Sequence, residues 1–253
     1  MMVKFAKEYS GVMAIGICLL VGYILLTDVF GVLSAFLFPS IFKVVKLFPQ
    51  YIDQLMTGLL SSLFLLVTAY LMAVITAITL GTMIGLKSGL RKNVTPYIYA
   101  FSAIPVPLLT PYAINLLPTF QAASIFLIWL AAFWVIFGTT IGAVMSIDKR
   151  YLETAAILEM SKAEKLFKII LPAASPSILV GCSIALTLSF MMLSVAEMFG
   201  ARSGMAYFVQ YYSDFAKFDV VMLGFFFTSA VLVLIMYIFD TIKHRILHWT
   251  INN

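Results

Sequence analysis

Residues able to do chemistry are few in this 253-residue chain, and where they fall limits what it can do. His244 and His248 stand four apart, a spacing that puts two imidazoles on one helix face and can hold a metal. No third ligand is near, and with Trp249 beside them they read as the basic, headgroup-level end of a helix. Gly81-Thr82-Met83-Ile84-Gly85-Leu86-Lys87-Ser88 approaches a phosphate-binding loop but lacks the glycine directly before its lysine. Cys18 and Cys182 both fall in apolar stretches and read as buried packing residues rather than redox groups. No nucleophile triad or paired carboxylates can be read. Asp28, Glu197 and Asp240 lie near the ends of apolar stretches, where an ionisable group is costly and therefore a candidate for function. Glu197 stands out, with Arg202 five residues on. The same stretch carries Ser189, Met191, Met192 and Ser194, which can line an adaptable passage, although methionine also serves as ordinary core filler.

The elements that must position these residues follow from composition. Hydrophobic residues make up 63% of the chain and charged ones 11%, against roughly 45–50% and 25% in soluble domains. So few charges exclude a cytosolic enzyme, a disulfide scaffold, a disordered tail and a nucleic-acid reader. An all-α, polytopic membrane bundle remains. Apolar runs of about 20 residues fall at about 11–30, 58–86, 95–117, 121–146, 176–198 and 219–240, predicting six spans. The run from Val32 to Phe48, broken by Pro39, Lys43 and Lys46 and followed by Pro49, reads as an interfacial loop with a short helix. No small-x-small cleavage site follows the first run, which reads as an uncleaved span. With the N-terminus inside, twelve of the sixteen Lys and Arg, from Lys4 and Lys7 to Lys243 and Arg245, fall on the cytoplasmic side. The expectation is therefore a multi-pass protein with both termini cytoplasmic. The net charge of +5 is accounted for by those loops rather than by an anionic partner such as nucleic acid.

Residues 146–172 form one polar island. Nine charged residues gather there: Asp148, Lys149, Arg150, Glu153, Glu159, Lys162, Glu164, Lys165 and Lys168. Asp148 is placed to cap a helix carrying Leu152, Ala155 and Ala156 on one side. Ser161 and Glu164 have the S-x-x-E spacing of a capping box opening a second short helix. In that helix Ala163, Leu166, Phe167 and Ile170 recur as an apolar stripe, and Pro172 is expected to stop it. Two amphipathic helices can rest on lipid headgroups or dock into a partner's groove, and the pattern alone does not choose between them.

Glu153-Thr154-Ala155-Ala156, followed by Phe167, Ile169 and Leu171-Pro172, resembles the EAA signature of permease subunits of bacterial ABC importers. The distance from Glu153 to the Leu-Pro pair matches that signature without a gap. Upstream, Ala103-Ile104-Pro105 with Pro107 and Pro111 resembles the family's IP…P segment, and Ser146-Ile147-Asp148 its approach to the signature. Downstream come Ser175-Pro176-Ser177-Ile178 and Gly181, then Ala196-Glu197-Met198, Gly200-Ala201 and Ser203-Gly204-Met205-Ala206-Tyr207. These last blocks resemble the nitrate/sulfonate/taurine-type subfamily. The likeness runs over about residues 55–240 of a single transmembrane domain spanning 1–253. Two positions depart from it: Thr154 replaces the first motif alanine, and Glu159 replaces the glycine between the two helices, where a left-handed turn is otherwise made at no steric cost.

The resemblance implies a type I ABC importer-like fold with a cytoplasmic coupling loop at 146–172. It places Glu153, Ala155 and Ala156 in the first coupling element and Ser161, Leu166, Phe167 and Pro172 in the second, with Glu159 at the joint. Phe167 is the apolar anchor we choose. The implied partners are a pair of ATP-binding subunits, a second permease copy (identical or closely related), an extracytoplasmic substrate-binding protein and membrane lipid. No cofactor is expected on this chain, and ATP and Mg belong to the partner ATPase. Ser189, Met191, Met192, Ser194 and Glu197 fall in the span that the resemblance puts beside the central path, in the bacterial inner membrane. The expected cargo is a small solute, such as a nitrate-, sulfonate- or taurine-like anion or a vitamin precursor. Rival readings are a secondary transporter or channel subunit not coupled to an ATPase, which would be expected to show internal repeats, and a membrane-embedded enzyme, which would need a reactive constellation within the spans.

Overall fold

The computed structural model describes residues 10–248, and among them every regular element is helical. In chain order these are α1 (Ser10–Ile24, extended by a wide π turn, Leu25–Val29), α2 (Ile41–Leu86) and α3 (Ser88–Ser102). A 3₁₀ turn (Val106–Leu109) leads into α4 (Thr110–Leu116), followed by α5 (Phe120–Met145) and α6 (Lys149–Ile157). The long α7 (Lys162–Gly200) contains a π turn at Leu166–Ile170, and α8 (Met205–Asp214) and α9 (Phe218–Ile246) complete the fold.

Four of these helices, α2, α5, α7 and α9, are long and apolar enough to cross a bilayer. The expectation of about six spans is corrected in two places. The segment predicted at 95–117 is bent by 77° between Ser88–Ser102 and Val106–Leu116, and counts as a fifth span only if both arms are taken together. Pro105 and Pro107 sit at the bend, where a missing N–H and a fixed φ prevent the helix from continuing. The predicted first span corresponds to a shorter apolar stretch, Ala14–Val29. Its side chains are largely exposed, and it is tied to the bundle where the Tyr23 hydroxyl donates to the carbonyl of Pro39 at 2.9 Å. Cys18 lies exposed on this helix, contrary to the packing role expected of it, while Cys182 is buried as expected. The interfacial loop expected at 32–48 is half right. From Ile41 onward the chain is already α2, which passes through Pro49 without ending and is anchored at its start by a Lys43–Asp219 ion pair of 2.9 Å.

The core lies where α2, α5 and α7 meet. Along α2 a small residue recurs every fourth position, Ala69, Ala73, Ala77, Gly81 and Gly85, and all five are buried. Small side chains let membrane helices approach until backbones nearly touch. A Cβ added at Gly81 would come within 2.8 Å of Thr140 Cβ, and one at Gly85 within 2.9 Å of Val144 Cβ. Because 81 faces 140 and 85 faces 144, α2 and α5 run in the same direction, with the bent α3–α4 segment returning between them. α7 runs the opposite way: Gly181 packs on Thr139 and Gly200 on Phe120. The Tyr70 hydroxyl donates to the carbonyl of Cys182 at 2.8 Å, and the Trp129 indole donates to Thr76 at 3.1 Å, cross-linking the three helices. This topology gathers residues 86–92, 145–172 and the end of α9 at one end of the bundle. Residues 53–62, 119–121 and 197–215 gather at the other.

Candidate functional site

The polar island folds as two capped helices. Asp148 accepts a hydrogen bond from the Arg150 N–H at 2.9 Å, opening α6 as its sequence position requires. Ser161 opens α7 with a complete capping box: its hydroxyl oxygen accepts from the Glu164 N–H, and the Glu164 carboxylate accepts from the Ser161 N–H. Lys168 adds an ion pair to Glu164 at 2.9 Å. The Lys168 hydrogen bond, followed by those from Ser161, holds the Glu164 carboxyl at about 2, well below the usual carboxylate range.

Between the helices the chain turns at Glu159, whose φ is +48°, in the left-handed region. The Met160 N–H donates to the carbonyl of Ala155 at 3.2 Å and the Glu159 N–H to that of Ala156 at 3.1 Å. This is the double-bonded helix ending usually built on glycine. Glutamate in the glycine position therefore still makes the bend, at a backbone cost of about 1–2 kcal/mol.

The second helix departs from expectation. Pro172 does not end it. The preceding turn widens to i→i+5 spacing, with the Leu171 N–H reaching the carbonyl of Leu166, and the helix runs on to Gly200. A proline cannot donate and its ring crowds the turn below it, so the wider turn relieves the conflict. The same widening splits the predicted apolar stripe. Leu166 and Ile170 pack inward against Ala174 and Ile147, whereas Phe167 is 67% exposed.

Of the coupling residues expected from sequence, Ala155 is buried and Leu166 and Pro172 are half-buried. Glu153, Ala156, Glu159, Ser161 and Phe167 are exposed. Two residues the sequence reading passed over are as bare as Phe167: Ile157 is 82% exposed and Leu158 62% exposed, at the end of α6. Their position just before the left-handed turn was a readable signal, because a helix end that stops on bare apolar residues needs something to cover them.

At the opposite end, Glu197 is fully buried. α8 begins at Gly204, which has no side chain to cap the helix, so two side chains from elsewhere do so. The Ser62 hydroxyl accepts from the Met205 N–H at 2.9 Å and donates to Glu197. The other carboxylate oxygen of Glu197 accepts from the Ala206 N–H at 2.8 Å. Glu197 thus joins α2, α7 and α8. Arg202 makes no side-chain bond to it and is exposed.

The remaining predicted pathway residues do not share one surface. Ser189 is buried, with its hydroxyl donating to the carbonyl of Ala185, and Ser194 is half-buried and bonds Phe190 in the same way. Met191 is exposed and Met192 buried, yet both border an apolar cleft of about 660 Å³ together with Trp134 and the Ile104–Pro107 bend. Asp28 accepts from the Ser40 hydroxyl. Asp240 pairs with Lys243 and His244, while His248 turns to the carbonyl of Arg245. The two imidazoles therefore have separate partners. Trp249, Lys4 and Lys7 lie outside the described residues.

Residues 74–249 match the family described as binding-protein-dependent transport system inner membrane component. The chain belongs to this family. A Bacillus subtilis (strain 168) protein named as an aliphatic sulfonates transport permease, SsuC, is 28% identical over 225 residues, covering 87% of this chain and 80% of that one. The nitrate import permease protein NrtB of Leptolyngbya laminosa is 31% identical over 140 residues, 55% of this chain and half the length of NrtB. Among solved structures, a chain of the MetNI methionine ABC transporter in an inward-facing conformation superposes with a TM-score of 0.66 at 17% identity. The match covers 78% of this chain and 98% of that one. The permease therefore has the type I ABC importer fold and is a transport component of the inner membrane rather than an enzyme.

Proposed function

We propose that this permease imports a small anion, of the sulfonate or nitrate kind carried by its named relatives, and that the 146–172 loop receives the ATP-hydrolysing subunit. The observation that carries the coupling assignment is that Ile157, Leu158 and Phe167 are all apolar and exposed on a loop whose backbone is fixed by two caps and a double-bonded turn. The loop mixes four acidic with five basic residues. Such balance suits a protein groove better than an acidic lipid surface, which selects a polybasic face.

Two copies of the permease, or one with a close relative, enclose the path between them, with Ser189, Met191, Met192, Ser194 and Glu197 on the helix nearest it. ATP and Mg are held by the partner subunits, both termini face the cytoplasm, and a substrate-binding protein docks at the far end. Closure of the ATPase pair draws the loops together and reorients the spans, so that access alternates between the two sides. Phe167→Asp and Ile157→Asp each place a charge on an exposed apolar position of the loop without disturbing packed residues. Co-purification of the ATPase subunit with either variant should fall at least about tenfold, since desolvating an unpaired carboxylate costs well over 1.4 kcal/mol. Full association together with full uptake would overturn the coupling assignment.

A further inference from the structure

We propose that the cleft beside Arg202, at the end of the bundle opposite the 146–172 loop, is a binding subsite for an organic anion with a short apolar tail. This rests on the reading of the permease as an anion importer and names where the chain first grips its cargo. The cleft measures about 520 Å³, and Arg202 is the one charged residue lining it. Gln121 and Thr119 line it as well. Among the described residues, neither the Arg202 guanidinium nor the Gln121 amide has a side-chain partner in the fold. Thr119 uses its oxygen to accept from the Ala122 N–H and keeps its O–H to give. Three kinds of donor therefore surround a space without a carboxylate, the requirement for holding an oxyanion.

The segment carrying Arg202 is held rigidly although its side chain is free. The Ser203 hydroxyl donates to Ser61, whose own hydroxyl returns to the carbonyl of Ser203. Gly204 is wedged against Gly58 on one side and the Glu197 carboxylate on the other. A donor on a fixed backbone loses less entropy on binding than one on a mobile loop. The rest of the wall is apolar. Phe120 packs against Gly200, and Phe64 stays 57% exposed. Those rings have no use for a bare inorganic ion but can cover a short alkyl chain. The neighbouring cleft on the other side of Arg202 includes Asp53, whose carboxylate repels an anion. The acid-free cleft is the one that fits.

Calorimetric titration of the full-length permease in detergent tests this, with butanesulfonate, ethanesulfonate, nitrate and 1-butanol as probes. Butanesulfonate should bind saturably and a few-fold more tightly than ethanesulfonate, with nitrate weaker still and 1-butanol silent. Arg202→Gln should weaken butanesulfonate about tenfold to a hundredfold, the scale of one charge-assisted hydrogen bond, and Arg202→Lys should restore part of that loss. Unchanged affinity in Arg202→Gln, or no saturable binding at all, overturns the subsite. Nitrate binding as tightly as butanesulfonate overturns its apolar wall. Binding by the isolated permease requires no ATPase. If that subunit co-purifies as expected while butanesulfonate fails to bind, the subsite falls and the coupling assignment stands.

Discussion

Gly204 and Glu159 each hold the backbone at positive φ, at opposite ends of the molecule, and the fold treats them very differently. Gly204, at +153°, is sealed between helices, and a Cβ there would lie 2.4–2.6 Å from the Glu197 carboxyl group. Glu159, at +48°, stands in the open, where its side chain meets no obstacle and only the backbone pays. A glycine is thus indispensable where space is lacking and merely helpful where only a turn is needed. The same contrast runs through the carboxylates. Glu197 is buried and spends its oxygens on Ser62 and the start of α8, whereas Glu164 works in solvent to close a capping box. The far end is a finished joint. The loop end has a fixed backbone and bare apolar tips.

The largest expected effect comes from breaking the finished joint. Glu197→Ala leaves the Ser62 hydroxyl and the Ala206 N–H without their acceptor, at about 1–3 kcal/mol for each orphaned group. A denaturant titration in detergent should show a loss of about 2–6 kcal/mol, and Glu197→Gln a smaller one. Gly204→Ala should follow closely, by about 1–3 kcal/mol from backbone strain together with displacement of the carboxylate. At the loop, Ser161→Ala removes one cap and should cost about 1 kcal/mol or less, seen as fraying of the first turn of α7 by amide exchange. Glu159→Gly should stabilise the same loop by up to about 1 kcal/mol. If it stabilised nothing, the reading of Glu159 as a position where only the backbone pays would fail.

The pH dependence sharpens the contrast further. Because the folded-state value of Glu164 is depressed, the capping box is at full strength above the unfolded glutamate value of about 4.3. It weakens only as pH falls toward about 2. A carbon-13 titration of the Glu164 carboxyl should show its midpoint well below that of a free glutamate.

What could be read in advance divides along the same line. Asp148 and the Ser161–Glu164 box act within three residues of themselves, so their spacing alone announced them. The positions of α2, α5, α7 and α9 followed from unbroken apolar length, a property of each segment by itself. The failures were all cases where distant partners decide. Lys43 and Pro49 look like breakers until Asp219, more than 170 residues away, neutralises the lysine and lets α2 start early. Pro172 looks like a stop until a wider turn accommodates it. Glu197 stood out by its motif and by Arg202 nearby in sequence, but nothing local pointed to its bond with Ser62 on another helix. The four-residue rhythm from Ala69 to Gly85 was legible and was passed over, because it reports packing rather than charge.

The persistence of α7 past Pro172 has a mechanical consequence. From Lys162 to Gly200 it spans 39 residues, about 58 Å at 1.5 Å per residue. Its second turn carries Phe167, and its last holds Glu197, five residues before Arg202. A rod of that length converts a tilt of a few degrees at one end into a displacement of several ångströms at the other. The wide turn at 166–170, which holds Phe167, and Pro176 just beyond it are softened joints along the rod, so their compliance sets how much of a tilt at the loop end arrives intact at the far end.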